Sequence, residues 1–149
     1  MRRLITIFQD ILARDQAKAG HGIYIASKTV HAPRWRGVRA GGVPIISTWI
    51  DEAGAGETAC FRDLWRRCVA EAARSGALIV YREPGEVLKG AFVEVGAALA
   101  SQVPVFAVGC RDLSFGHHAL VTHCDTIERA FNAAIGRAYL ARCAEREAR

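Results

Sequence analysis

The stretch Ala77-Leu78-Ile79-Val80-Tyr81, followed after a loop by Gly90-Ala91-Phe92-Val93-Glu94-Val95-Gly96-Ala97-Ala98-Leu99-Ala100, decides the fold. Five apolar residues without a polar partner on either face predict a strand buried on both sides, and the glycine-opened apolar run predicts a buried helix. Such a strand, loop and helix form the repeating unit of a parallel α/β sheet. Glu94 is the one charged residue in the helical run. Burial would raise its pKa, whereas a helix N-terminus and hydrogen-bond donors would hold it ionised. Nothing in packing requires an acid there, which marks Glu94 as a candidate for chemistry. The alternative is a glutamate that points out through a gap or caps a neighbouring backbone.

Working outward, the same alternation recurs. Ile23-Tyr24-Ile25-Ala26 predicts a first strand, residues 43–48 a second, 77–81 the third, 103–108 a fourth and 119–122 a fifth. Between them, residues 31–40 read as a helix closed by Gly41-Gly42, and 57–75 as a helix with Phe61, Leu64, Trp65, Cys68, Val69 and Ala72 on one face. Residues 127–147 close the chain as a helix, and residues 4–18 carry amphipathic spacing that predicts a helical extension over 1–20. The expectation is one domain over 1–149: a doubly wound, mainly parallel five-stranded sheet of flavodoxin or Rossmann type, with helices on both faces. Ligands of such sheets bind beyond the carboxyl ends of the strands, where the strand order reverses. The loops expected there are Ser27-Lys28-Thr29, residues 49–52, residues 82–89 and residues 109–118.

A chain of 149 residues, 51% apolar and 23% charged, has an ordinary globular composition and room for one core. No apolar run reaches bilayer length, and Asp10, Arg14 and Asp15 interrupt any signal-peptide core, so a cytoplasmic protein with no membrane partner is expected. The five cysteines form no CxxC pair, which suits free thiols in a reducing compartment. His117, His118 and His123 with Cys110 and Cys124 match no common zinc spacing, so no metal and no other cofactor is expected. The net charge of +5 is scattered among acids, which disfavours a nucleic-acid track but suits a small anionic ligand.

With Ile23-Tyr24-Ile25-Ala26 and the Gly90-x-x-x-Glu94-x-Gly96 helix in place, the chain resembles the nucleoside 2-deoxyribosyltransferase-like superfamily over about residues 22–135. The resemblance implies a nucleophilic role for Glu94, which would attack the anomeric carbon of a deoxyribosyl group, expel the base and hold the sugar as an ester. Water as acceptor gives an N-glycoside hydrolase, as in the deoxynucleoside monophosphate hydrolases, and a second base gives a transferase. The classical transferases carry an aspartate five or six residues before the glutamate, where Lys89 and Leu88 stand here. A base-protonating or sugar-binding carboxylate is therefore expected from Glu86, Glu83 or Asp51. Ser27-Lys28-Thr29 replaces the usual glycine-proline turn after the first strand.

The other expected lining residues are Ala26, Ser27, Lys28, Trp49, Tyr81, Arg82, Lys89 and Gly90. Lys28 and Lys89 are two of only three lysines and fall on site-side loops, where they would favour a 5′-phosphate; ordinary solvated lysines are the alternative. Trp49 at a strand end reads more readily as rim packing than as site wall, Tyr81 and Arg82 read equally as either, and His31-Ala32-Pro33 reads as a helix start. The expected partner is a nucleoside or nucleotide. The apolar first segment and the resemblance together point to a homo-oligomer. A nucleotide-binding or sensing protein without turnover is the competing reading, favoured by the missing aspartate.

Overall fold

A computed structural model describes residues 21–53 and 58–148. The helix expected over residues 4–18, the 1–20 extension and residue 57 lie outside them, and the helix expected from residue 57 begins at Phe61, after the non-helical residues 58–60. Four strands form one parallel sheet: β1 (Ile23–Ala26), β2 (Ala77–Tyr81), β3 (Val105–Val108) and β4 (Val121–Cys124), in the order 1-2-3-4. The helices are α1 (Ala32–Ala40), the single turn α2 (Trp49–Glu52), α3 (Phe61–Arg74), α4 (Ala91–Ala100) and α5 (Ile127–Glu147). β2 is buried at every residue because β1 and β3 flank it and helices cover both its faces.

Register shows which face each helix covers. Tyr24 stands beside Leu78, and Ile25 beside Ile79. Since side chains alternate along a strand, Tyr24 and Leu78 share one face, and Ile79 and Tyr81 share the other. On the first face Tyr24 meets Glu94 of α4, with α3 lying along α4. On the second, Trp35 of α1 packs edge-on against Tyr81, with centroids 5.2 Å apart, and against Phe131 of α5 at 6.1 Å.

The sheet holds four strands, not five, among the described residues. The expected strand over residues 43–48 runs beside β1 but makes one parallel bridge only, Ile23 with Ile45. Pro44 O accepts from Ile23 N at 2.9 Å, and Ile46 N donates to Ile23 O at 3.0 Å. Beyond that point side chains replace the ladder: Ser47 Oγ accepts from Ile25 N at 2.6 Å, and the Trp49 indole N–H donates to Ile25 O at 2.8 Å. The outer edge of β1 is thus satisfied while the neighbouring chain turns away into α2. β3 begins two residues later than expected, after Pro104, which lacks an N–H but whose carbonyl accepts from Leu78 N at 2.9 Å. At the far end of the sheet Gly109, with φ +73°, sits so close to Arg82 that a Cβ would lie 2.0 Å from its carbonyl oxygen. The missing side chain lets the exits of β2 and β3 lie close together, where Arg82 N donates to Val108 O at 3.1 Å.

Candidate active site

Gly90 caps the start of α4 and places Glu94 in the helix's first turn, over the β1 side of the sheet. Its side chain is 7% exposed, and Oε1 accepts a 2.8 Å hydrogen bond from the Tyr24 hydroxyl. Beside it opens a cavity of about 610 Å³ at the carboxyl end of β1. Ser27, Lys28 and Thr29 form one wall with Trp49, and Val87, Leu88, Lys89, Gly90 and Ala91 another. Phe61, Leu64, Trp65 and Cys68 of α3 complete it.

Burial pushes the Glu94 carboxyl up to about 7, against the opposing pull of hydrogen bonds from Tyr24 and Cys68, while the charge of Glu71 raises it further. Near neutral pH this carboxyl is therefore divided between acid and carboxylate. Tyr24 moves the other way in function: burial first, and then the charge of Glu94, push its phenol far above the ordinary value, so it stays a donor. Cys68 is likewise held as a thiol, its pKa pushed by burial to about 11. The result is a carboxylate gripped by a permanent donor in apolar surroundings, open to a cavity of ligand size.

Six of the expected residues meet at this cavity: Ser27, Lys28, Trp49, Lys89, Gly90 and Glu94. Trp49 is both wall and packing, since the bond from its indole to Ile25 O fixes the ring. Ser27 Oγ accepts from the Trp35 indole at 2.9 Å. Ala26 is fully buried within β1 and does not itself line the space.

The remaining expected residues are engaged elsewhere. Tyr81 faces the opposite side, its hydroxyl 2.9 Å from both Arg34 Nη1 and Glu83 Oε1. Arg82 donates from Nε to Gly109 O at 2.7 Å and pairs with Asp112. Asp51 is exposed on α2 and pairs with Arg39, whose hydrogen bonds hold the carboxyl below its ordinary range. Glu86 lies 2.9 Å from His31 Nε2 and accepts from Glu83 N at 2.9 Å. Burial alone would raise Glu86, but those donors outweigh it and keep the carboxyl below its usual value. None of the three carboxylates expected as acid or sugar ligand, Glu83, Glu86 and Asp51, therefore lines the cavity. Among the described lining residues Glu94 is the only carboxylate.

The wall supplied by α3 was not expected. Its signal was present in the sequence, because the apolar face of α3 is wider than the core uses. Cys68 and Ala72 alone are fully buried, while Phe61 is 69% and Trp65 39% exposed. Trp65 stands over the start of α4: a Cβ on Gly90 would lie 2.8 Å from its Cη2. Of the histidines and cysteines considered for a metal, Cys110 Sγ donates to Val108 O and His118 Nδ1 accepts from Leu120 N. Among the described residues, the group of three potential metal ligands within reach of one another is His31, Glu83 and Glu86.

Comparison with protein-family models, with curated proteins and with solved structures finds no match to this chain. Among the described residues no helix is long and apolar enough to cross a membrane.

Proposed function

We propose that this chain cleaves or transfers at the N-glycosidic bond of a deoxynucleoside or its 5′-monophosphate, with Glu94 as nucleophile. The observation that carries the reading is the Tyr24–Glu94 pair, a buried carboxylate held by a phenol at the edge of a cavity of about 610 Å³. The resemblance of Ile23-Tyr24-Ile25-Ala26 and Gly90-x-x-x-Glu94-x-Gly96 to nucleoside 2-deoxyribosyltransferase-like proteins supports it. So does the strand order: with residues 43–48 counted as an outer strand beside β1, the sheet reads 2-1-3-4-5, the flavodoxin-like order. The cavity then opens at the reversal point, between the exit of β1 and the loop after β2.

In this mechanism the ionised Glu94 attacks C1′ of the sugar. The C1′–N bond breaks, its electron pair goes to the base, and the base takes a proton from water. Tyr24 engages Oε1, so the ester forms through Oε2. Water or an incoming base then attacks C1′ and gives up a proton to solvent, which balances the one taken by the first base, and Glu94 leaves as carboxylate. Lys28 and Lys89 supply positive charge for a 5′-phosphate, and Trp49, Phe61 and Trp65 supply apolar surface for the base. The exposed Phe61, Trp65, Phe92 and Val93 of α3 and α4 suit a homo-oligomer in which this face is covered.

The test is base release from a panel of nucleosides and 5′-monophosphates, with and without an acceptor base, by wild type and Glu94→Gln. Release that requires Glu94 supports the reading, and acceptor dependence separates transferase from hydrolase. A second reading, a nucleotide-binding protein without turnover, is favoured by the absence of another carboxylate from the described cavity lining. Nucleotide binding by both proteins with release by neither would establish it.

A further inference from the structure

We propose that His31, Glu83 and Glu86 form a binding site for a divalent first-row transition ion of the zinc class, beside the cavity and separate from Glu94. His31 Nε2 lies 2.9 and 3.1 Å from the two oxygens of Glu86, and a carboxylate oxygen of Glu83 completes a group whose donor atoms all lie within 4.8 Å of one another. Around a tetrahedral zinc ion, nitrogen and oxygen ligands at ordinary bond lengths stand about 3.3 Å apart. Seating an ion between His31 and Glu86 therefore asks for a movement of tenths of an ångström.

An ordinary surface ion pair would not need this much support. The His31 and Glu86 side chains are only 11% and 15% exposed. The imidazole stands edge-on to Tyr81 with centroids 5.2 Å apart, and tilted against Trp35 at 6.3 Å. It cannot swing freely into solvent. Both carboxylates are oriented from behind: the Tyr81 hydroxyl donates to Glu83 Oε1 at 2.9 Å, and Glu83 N donates to Glu86 Oε2 at 2.9 Å. Held ligands backed by an outer layer of hydrogen bonds are the usual construction of metal centres. An imidazole in the set favours zinc, cobalt, nickel or iron over magnesium and calcium. Three protein ligands also leave a fourth position for water or an external ligand.

The site joins two cavity-forming loops. Lys28 and Thr29 precede His31, Val87 and Leu88 follow Glu86, and all four residues line the cavity. Lys28 also acts electrostatically on Glu86 and so competes with an ion for that carboxylate. Arg34, bonded to the Tyr81 hydroxyl, stands behind the outer layer and not among the ligands.

The experiment is titration of the metal-free full chain with Co²⁺ alone, followed by visible absorption and calorimetry, and with Zn²⁺ alone, followed by thermal melting. One equivalent of Co²⁺ with nitrogen and oxygen ligation is expected, together with a higher melting temperature in Zn²⁺. His31→Ala and the exposed Glu83→Gln should each weaken binding by about tenfold or more, Tyr81→Phe by about tenfold, and Lys28→Met should tighten it. The absence of saturable binding would overturn the proposal, as would equal affinity in the folded Glu83→Gln protein. A sulfur-to-cobalt charge-transfer band would place the ion on a cysteine and also overturn it.

Discussion

Tyr24 Oη donates a 2.8 Å hydrogen bond to Glu94 Oε1, joining residues 70 positions apart in the chain. The bond spans the first strand and the helix that follows the second, so the carboxylate is positioned only once the sheet has formed. It also lowers the Glu94 pKa against the burial that raises it. Tyr24→Phe removes that donor and keeps the ring. The acidic limb of the base-release profile should then move above about 7, because the carboxylate has lost a stabilising partner. At pH 7 the rate should fall by roughly tenfold, the equivalent of a single lost charge-assisted hydrogen bond of about 1.5 kcal/mol. A pH–rate profile of the two proteins checks this, and an unchanged limb would remove Tyr24 from the mechanism.

Glu94 should also make folding stability depend on pH. Its carboxyl titrates near 4.5 when exposed and near 7 when folded, so the folded state holds its proton more tightly. The contribution is most favourable below pH 4.5 and is lost as pH rises through about 7. The full span corresponds to about 3 kcal/mol at most. Glu94→Gln removes the titration, so the mutant should gain stability relative to wild type between pH 5 and pH 8. Urea unfolding of both proteins at the two pH values measures the gap, which should widen with pH by on the order of 2–3 kcal/mol.

Much of this architecture can be read from the amino-acid pattern, and the exceptions have definite causes. β2 and α5 coincide with the expected 77–81 and 127–147 because an unbroken apolar run and a long periodic segment admit few alternatives. Residues 43–48 look equally strand-like, yet Ser47 and Trp49 supply side-chain partners that end the ladder, and no periodicity reveals that. The position of Glu94 on a buried helix face was legible as well. Glu86 and Asp51 were not, because His31 and Arg39, which hold them outside the cavity, are 55 and 12 residues away. The aromatic wall from α3 was visible as an apolar face, but only the packing beside α4 shows that half of it faces a cavity.

Ser47→Ala tests the account of the β1 edge. The Ser47 hydroxyl is fully buried and accepts the Ile25 N–H at 2.6 Å. Removing it leaves a buried donor without its partner, which costs about 1–3 kcal/mol. Ser47 does not line the cavity, so ligand affinity in the folded fraction should stay unchanged. Chemical denaturation with a parallel binding titration separates the two. A loss below 0.5 kcal/mol would mean that water replaces the hydroxyl and that the side-chain edge is dispensable.

Gly90→Ala should separate ligand fit from folding. Gly90 has helical backbone angles of φ −57° and ψ −35°, which alanine adopts readily. The added Cβ would nevertheless sit 2.8 Å from Trp65 Cη2 and 3.3 Å from Cζ2. Trp65 lines the cavity and stands outside the buried core, so its ring can give way toward that space, and stability should change little. The cavity wall, however, loses its present shape. If the ring supports the base of a bound nucleotide, its displacement costs about 0.5–1.5 kcal/mol, or roughly two- to tenfold in affinity. KM should rise by that factor with kcat nearly constant, since Glu94 and Tyr24 are untouched. The comparison with Trp65→Ala is decisive. Both substitutions should weaken binding of a base-bearing ligand, and neither should alter binding of a ribose phosphate that has no ring to stack.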